Sequence, residues 1–354
     1  MFLSIPPAFG LDISDSQFKL VALHRHRGKI FVKFFGSINV PDGYFSNGDI
    51  KKPAETAELL KKFISSLKLK SNRVMANLPD NQTYLKLIET KLTDKKEIQS
   101  YLEAQSENYF PLPTSESYLT WDKIGQTSEG AIKILVGAAS NKTVDEYLNL
   151  LESAGLVPIA LEVEPTAIAR GLNLETKTSD VPGNPASASI ILDLGANRTG
   201  LIFSRNGVIE FSVTLPHSGK HITSEIAKTL KLPSDKAEKL KLDCGIDEKK
   251  CKGALKHLMT AIFEDLAGKI KEDINYYNDT FPNTGIKQIF LTGGGSRLAG
   301  LPGQLTKMLD IETKVVDPAT DFNLIKPRQL NGLPIKEAPA YTTAIGLSLK
   351  GLDS

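Results

Sequence analysis

Ser189-Ile-Ile-Leu-Asp193-Leu-Gly195-Ala-Asn-Arg198-Thr199-Gly200-Leu-Ile-Phe-Ser204 is the stretch on which the reading of this chain turns. An apolar run ends on a lone carboxylate, Asp193, passes through Gly195 and small polar residues, and resumes as Leu201-Ile-Phe203. Apolar runs this short, bounded by turn residues, predict strands. The carboxylate then stands at the mouth of a β-hairpin whose turn carries unpaired backbone N–H groups. Such a turn suits a phosphate, and the Asp suits the phosphate's metal ion.

Downstream, Arg205-Asn206-Gly207 predicts a tight hairpin turn before a strand over 208–214; helical segments follow, then a strand over 287–291. The same plan occurs once before. Phe9-Gly-Leu-Asp12-Ile13 predicts a strand, Ser14-Asp15-Ser16-Gln17 a turn, and 18–23 a second strand. The turn His24-Arg-His-Arg-Gly28-Lys leads to a third strand over 30–35. A helix over 54–67 places Leu59, Leu60, Phe63, Ile64 and Leu67 on one face, and a strand over 73–78 closes the unit. Two similar α/β units are therefore expected.

Between the halves lies a segment belonging to neither. Strands over 83–90, 118–124 and 131–136 and helices over 95–109 and 144–154 make a small α+β module inserted into the first half. A strand over 156–164 and a helix over 165–172, opened by Pro165, lead out of it. Residues 174–188, rich in Thr, Ser, Pro, Gly and Asn, read as a loop or hinge. After Gly293-Gly294-Gly295-Ser296 come a helix to residue 309, an irregular segment over 317–339 and a final helix over 340–350. The expected division is 1–81 with 156–185 and 340–354, the insert 82–155, and a second unit 186–339 with a helical part over 218–285.

The totals narrow the function. At 354 residues the chain exceeds what one hydrophobic core usually supports. Its 43 basic and 41 acidic residues give a net charge of +2, which argues against a nucleic-acid or anionic-membrane binder acting through bulk charge. No apolar segment reaches the roughly 20 residues needed to span a bilayer. Met1-Phe-Leu-Ser-Ile-Pro-Pro lacks the basic start and apolar core of a signal peptide, so the chain is expected in the cytosol. Cys244 and Cys251 are too few for a disulfide framework. Both are expected as reduced structural thiols, with zinc as the alternative.

Asp12 and Asp193, facing each other from two hairpin mouths, would clasp a polyphosphate from both sides. Backbone N–H groups would meet the phosphate oxygens, and the carboxylates would hold Mg²⁺ directly or through water. Each Asp taken alone reads equally as a turn residue bonding its own backbone; the duplicate placement carries the inference. Gly293-Gly294-Gly295, between a buried strand and a helix, permit close backbone approach to a nucleotide. Lys19 belongs either on the phosphate or on the strand's wet face. His217 and His221, four apart without a third ligand, read as loop and cap residues near the nucleotide rather than a metal site.

These residues carry a resemblance. Asp193-Leu-Gly195-Ala196-Asn197-Arg198-Thr199 resembles the second phosphate motif of the actin-like ATPase superfamily, and Leu291-Thr-Gly293-Gly294-Gly295-Ser296-Arg-Leu resembles its adenosine motif. Glu162-Val-Glu164-Pro165-Thr-Ala-Ile-Ala is similar to the first connecting helix, and Ala340-Tyr-Thr-Thr-Ala-Ile-Gly-Leu to the second. The likeness covers nearly the whole chain. The inserted module sits where the PilM family of type IV pilus assembly proteins, relatives of the division protein FtsA, carries a small subdomain of its own.

The resemblance implies an α/β, actin-like (ribonuclease H-like) fold of duplicated domains flanking a nucleotide cleft, with ATP and Mg²⁺ as cofactors. On the first turn it implicates Asp12, Ser14, Ser16, Gln17 and Lys19, and on the second Asp193 with Gly195, Ala196, Asn197, Arg198 and Thr199. It adds Gly219, Glu238 and Lys241 at the ribose, and Gly293, Gly294, Gly295 and Ser296 at the adenosine. Glu164 would orient water or metal as the catalytic residue. Glu238 and Lys241 share a helix face, which is also the spacing of an ordinary solvent-facing ion pair. A helix N-terminus favours an acid such as Glu164 on electrostatic grounds alone.

One turn departs from the pattern. Ser14 and Asp15 stand where relatives tend to have glycine and small uncharged residues. Asp15 brings a second negative charge to the phosphate unless it points away or faces metal. Binding with slow or absent hydrolysis is the expectation.

By resemblance the chain is a cytoplasmic ATP-binding adaptor of type IV pilus, or related type II secretion, assembly at the inner membrane. Its cleft would close on ATP and change the grip on the N-terminal peptide of a PilN-like inner-membrane protein near the insert. Other pilus assembly components are further partners. The chain would reach the inner face of the membrane through them, with neither nucleic-acid binding nor direct membrane insertion. An FtsA-like division filament is one alternative, but FtsA-like proteins end in an amphipathic membrane helix, whereas this sequence stops at Gly351-Leu-Asp-Ser354. A sugar or acid kinase is another; it needs a general base, for which only Glu164 offers itself.

Overall fold

Strands buried on both faces form continuous apolar runs, and two of these, β1 (Phe9–Ile13) and β11 (Ala188–Leu194), sit at the centres of two sheets built alike. The computed structural model describes residues 6–127, 129–173, 188–281, 285–318 and 335–352. Around β1, β2 (Gln17–His26) and β3 (Lys29–Asn39) make an antiparallel meander, while β6 (Arg73–Leu78) and β10 (Val157–Val163) add in parallel, giving the order β10-β6-β1-β2-β3. Around β11, β12 (Thr199–Arg205) and β13 (Val208–Leu215) make the same meander. β14 (Ile286–Thr292) and β15 (Glu312–Val315) complete the order β13-β12-β11-β14-β15. Each central strand carries its carboxylate near its C-terminal end.

The turn expected over His24–Lys29 is shorter in the structure. β2 and β3 stay paired down to His26 and Lys29, leaving only Arg27 (φ +50°) and Gly28 (φ +75°) to turn. Asn206 (φ +52°) and Gly207 (φ +78°) repeat this two-residue geometry in the second sheet, whose twist matches that of paired strands. A short hairpin of β4 (Phe45–Ser46) and β5 (Asp49–Ile50) closes over the first turn.

The helices α1 (Pro53–Ser66) and α3 (Asn141–Ser153) cover the first sheet, burying Leu60, Phe63, Tyr147, Leu150 and Leu151 in one core. The insert's own sheet is β7 (Thr83–Thr90), β9 (Ile132–Ser140) and β8 (Ser117–Gln126), antiparallel in the order β7-β9-β8. It is packed by Ile98 and Leu102 of α2 (Lys95–Tyr109), whose N-terminus is capped by Asp94. The helix expected over 144–154 as the end of the insert is α3, and it buries its apolar face in the core of the first sheet rather than in the insert's own core.

Two helices cross between the sheets, α4 (Glu164–Gly171) and the last helix, α9 (Thr342–Gly351). Their backbones touch at Gly346, where a Cβ would lie 1.8 Å from the Ala167 carbonyl, so no other residue fits there. Helix α9 starts after a 3-10 turn over Ile335–Tyr341 that holds Pro339. The second sheet is covered by α5 (Gly219–Leu230), α6 (Ser234–Cys244), α7 (Lys256–Thr280) and α8 (Leu301–Leu309), which bury Ile222, Phe263 and Leu305 with the strands.

One expectation is corrected here. Cys244 and Cys251 form a disulfide with a Cα–Cα distance of 5.4 Å, because the chain reverses at Gly245 (φ +57°) directly after α6. Residues 174–187 of the hinge expected over 174–188 lie outside the described residues, as do 319–334 of the irregular segment 317–339, and Ala188 already belongs to β11.

Candidate functional site

Strand register decides what faces each carboxylate. Asp12 pairs across β1 and β2 with Lys19, whose Nζ donates to Asp12 Oδ2 at 2.9 Å. Asp12 Oδ1 is buried with no hydrogen-bond partner. Asp193 pairs across β11 and β12 with Gly200, which offers no side chain. Two further carboxylates line the same cavity: Glu164, the first residue of α4, and Asp80, in the turn after β6.

The electrostatics follow from that crowding. Burial pushes Asp193 up to about 6, with Asp12 and Asp80 adding to the rise and Lys19 and Arg198 opposing it. Burial likewise pushes Glu164 up to about 8; Arg198 resists, while Asp12, Asp193 and Asp80 reinforce it. Burial also raises Asp80 against the pull of Thr214 and Arg198. Burial works against the Lys19 ammonium, but Asp12, Asp193 and Glu164 outweigh it and hold the group above its ordinary value. Four carboxylates against two cations leave a deficit of positive charge. Asp193 and the unpartnered Asp12 Oδ1 could each offer a hard oxygen to a cation such as Mg²⁺, while no three His, Cys, Asp or Glu side chains among the described residues converge on one metal position.

The second turn is braced from behind. Gly195 N donates to Arg198 O at 3.0 Å, and Gly219 N and Lys220 N at the start of α5 donate to Gly195 O and Ala196 O at 2.9 Å each. Lys241, buried on α6, donates to Gly219 O and Thr223 Oγ1 at 2.9 Å and pairs with Glu238 at 2.7 Å. Thr199 Oγ1 donates to His217 O at 2.6 Å, and His217 Nε2 meets Asp265 at 2.6 Å. At Gly293 (φ +81°) an added Cβ would fall 2.4 Å from Asp193 Oδ1, so only glycine lets the third loop close against the carboxylate.

The first turn is held differently. Asn77 Oδ1 accepts from Ile13 N at 2.8 Å. Asp15 points away from the cavity: its carboxylate accepts from Gly48 N at 3.2 Å and meets Arg198 Nη2 at 3.5 Å. Asn197 Nδ2 donates to Ser16 Oγ at 2.7 Å, Arg198 also bonds Asn81, and Thr214 bonds Asp80. These contacts join the two halves across the cleft.

The cavity between the halves measures about 140 Å³. Asp12, Ser14, Gln17, Lys19, Glu164 and Asp193 line it, as do Gly195, Ala196, Asn197, Arg198, Gly293 and Gly294. The structure does not bring Ser16, Thr199, Gly219, Glu238, Lys241, Gly295 and Ser296 onto this lining. Gly219, Glu238 and Lys241 brace the second turn, and Ser296 Oγ donates back to Gly293 O at 2.7 Å. Sequence reading missed Asp80 and the Pro339–Thr343 stretch. It also missed Asn77, although an amide inside the apolar run Val-Met-Ala-Asn-Leu was a visible signal.

A second, larger cavity of about 970 Å³ opens between the insert and the first sheet. Its walls include Tyr118, Leu119 and Trp121 of β8, Ala160 and Leu161 of β10, and Ala169 of α4. Both β8 and β10 are edge strands, so the groove is mostly apolar yet flanked by backbone groups able to pair with an added strand. Glu162 lies at its floor, gripped by Arg170 at 2.8 and 3.0 Å and by Lys350 at 2.5 Å.

A family model described as type IV pilus assembly protein PilM matches residues 10–352. The chain belongs to that family. It is similar in structure to a PilM-PilN type IV pilus biogenesis complex, with a TM-score of 0.84 and 25% identity over 98% of this chain and 99% of that one. MreB5 of Spiroplasma citri bound to ADP shares the fold, with a TM-score of 0.54 and 12% identity over 97% of this chain and 95% of that one. Cell division protein FtsA of Neisseria meningitidis serogroup B (strain ATCC BAA-335 / MC58) is 21% identical over 336 residues, 88% of this chain and 68% of the relative. The PilM-family fold is actin-like: duplicated α/β domains flanking a cleft, with a small inserted α+β subdomain. No helix among the described residues is long and apolar enough to cross a membrane.

Proposed function

We propose that the chain is a nucleotide-operated adaptor of type IV pilus, or related type II secretion, assembly. The cleft takes ATP with Mg²⁺, and the groove takes the N-terminal cytoplasmic peptide of a PilN-like inner-membrane protein, which recruits the chain to the membrane's inner face. The observation that carries this reading is the adjacency of groove and cleft in a chain aligned end to end with the PilM partner of PilN. Helix α4 lines both: Glu164, Pro165 and Ile168 face the cleft, and Thr166, Ala169 and Arg170 the groove. A ligand that moves α4 therefore acts on both sites.

Bound Mg²⁺ would supply charge neutralisation to the phosphates. Backbone groups of Ala196, Asn197 and Arg198 together with Lys19 would orient the terminal phosphates, with the Arg198 side chain reaching across from the second turn. A cavity of about 140 Å³ is small beside the roughly 300–1,000 Å³ of a typical ligand pocket, so admitting the whole nucleotide requires the halves to part and the cross-cleft bonds to re-form around it. Hydrolysis is slow, because burial, reinforced by Asp12, Asp193 and Asp80, pushes Glu164 up to about 8 and keeps it mostly protonated at neutral pH, where it cannot accept a proton from water.

The test uses a synthetic peptide with the N-terminal sequence of a PilN-like protein. Its affinity is measured by fluorescence anisotropy without nucleotide, with ADP and with Mg-ATP. Binding should change at least threefold between nucleotide states, and Thr120→Glu in the groove wall should abolish it while leaving ATP binding intact. Peptide binding unaffected by Thr120→Glu would remove the groove from the partner surface.

A further inference from the structure

Two stretches of this nearly neutral chain contain no acidic residue: 16–41, between Asp15 and Asp42, and 59–79, between Glu58 and Asp80. The first folds as β2 and β3, the second as the end of α1, a loop and β6. Register brings their charges to one place. β1 runs toward the cleft and β2 runs back from it, so the Arg27-Gly28 turn stands at the end of the first sheet opposite the cleft. β6 and β10 run parallel to β1, and their first residues, Arg73 and Val157, pair at this same end.

That end presents Arg27 and Lys29 from the hairpin and Lys68 and Lys70 from the loop, all exposed. Arg73, bonded to Pro6 O at 3.1 Å, lies behind them. Among the described residues, Glu152 on the last turn of α3 stands against them. Phe31, half-buried and stacked on His24 at 5.1 Å, and Val157, 47% exposed, add apolar surface. The whole-chain charge of +2 hides this local excess.

We propose that this end of the first sheet is a docking face for an anionic phospholipid bilayer. Clustered Lys and Arg are drawn to the negative surface potential of such a membrane, within a Debye length of it. A basic end with a few apolar side chains, from which the β2–β3 hairpin projects, fits a lipid surface better than the groove of a nucleic acid. The groove described above runs along β10, at the opposite edge of the same sheet, four strand spacings or about 19 Å from β3. A tail leaving the bilayer would meet its groove within the reach of roughly six extended residues. The proposal itself rests on the placement of charge and does not depend on which peptide the groove takes.

The full chain is floated with vesicles of phosphatidylcholine alone and of phosphatidylcholine mixed with phosphatidylglycerol, at low and raised salt. It should bind only the mixed vesicles, with binding falling as salt rises. Arg27→Glu with Lys29→Glu, and separately Lys68→Glu with Lys70→Glu, should each weaken binding at least about tenfold without changing the melting temperature. Lys236→Glu with Lys239→Glu, an equal charge change on exposed positions of α6, should leave binding unaltered. Failure to bind mixed vesicles, equal binding to phosphatidylcholine alone, or an equal loss in the α6 variant would overturn the proposal. Duplex DNA bound as tightly as the mixed vesicles under the same salt would overturn it too, assigning the face to nucleic acid.

Discussion

The two central hairpins share a scaffold and differ in what stands opposite the carboxylate. In the first half Asp12 faces Lys19 and is already half neutralised; in the second Asp193 faces Gly200 and is left open. Their turns differ to match. Gly195–Arg198 is backed by the N-terminus of α5, with Lys241 beneath it, whereas the first turn is pinned by Asn77 and sends Asp15 to Gly48. A duplicated fold has thus become asymmetric: the second hairpin offers the open binding site, and the first supplies a counter-charge and an anchor.

The most severe way to break this asymmetry is to crowd Asp193. Gly293→Val forces a Cβ to within 2.4 Å of its Oδ1 at a φ of +81°, and should abolish binding of fluorescent ATP and cost about 2 kcal/mol or more in denaturant unfolding. Next, Asp193→Ala should weaken Mg-ATP at least tenfold, or about 1.4 kcal/mol. Asp12→Ala should weaken it less and instead lower the melting temperature, since Lys19 is left buried without its partner. Equal losses of affinity would refute the division of labour.

Giving the second half the first half's pairing is a milder test. An added Cβ at Gly200 has only Asp193 Cβ at 3.8 Å and Asp80 Oδ2 at 4.0 Å nearby, so Gly200→Lys is sterically tolerable. Its ammonium should compete with Mg²⁺ and raise the magnesium concentration needed for half-maximal ATP binding severalfold.

The smallest expected effect is on stability against pH. Glu164 ionises near 8 in the fold against an ordinary value of 4.5, so the unfolded chain gives up that proton first and stability falls as pH climbs from 4.5 to 8. In metal-free buffer Glu164→Gln should match the parent near pH 5 and exceed it in stability by a growing margin as the pH climbs toward 8. A constant difference across that range would show that neither burial nor the surrounding carboxylates oppose Glu164's charge.

Much of the fold was legible because it rests on local patterns. The helix over 95–109 and the strands over 73–78 and 83–90 match the expected bounds, since each has turn residues at both ends. The β2–β3 turn was drawn too wide because charged residues there read as loop, whereas pairing with the neighbouring strand overrides propensity. Both Asp residues and the glycines of the third loop were visible as interruptions of apolar runs. Asp80 was not, because an Asp after a proline reads as an ordinary turn and only the approach of the second half makes it a cavity wall. The disulfide was missed for a similar reason: two cysteines seven apart give no distance until Gly245 turns the chain.

By itself, then, the sequence determined the duplicated plan, the insert and the two carboxylates, because strand periodicity and turn chemistry are set by near neighbours in the chain. Only the tertiary structure decided which carboxylate is open and which is paired. Only there do Glu238 and Lys241 become a brace behind the phosphate turn, Asp15 turn away and α4 become a wall of two sites. Those outcomes depend on register and on contacts between residues up to 183 positions apart, as between Asp15 and Arg198, and no local pattern encodes a distance across a cleft.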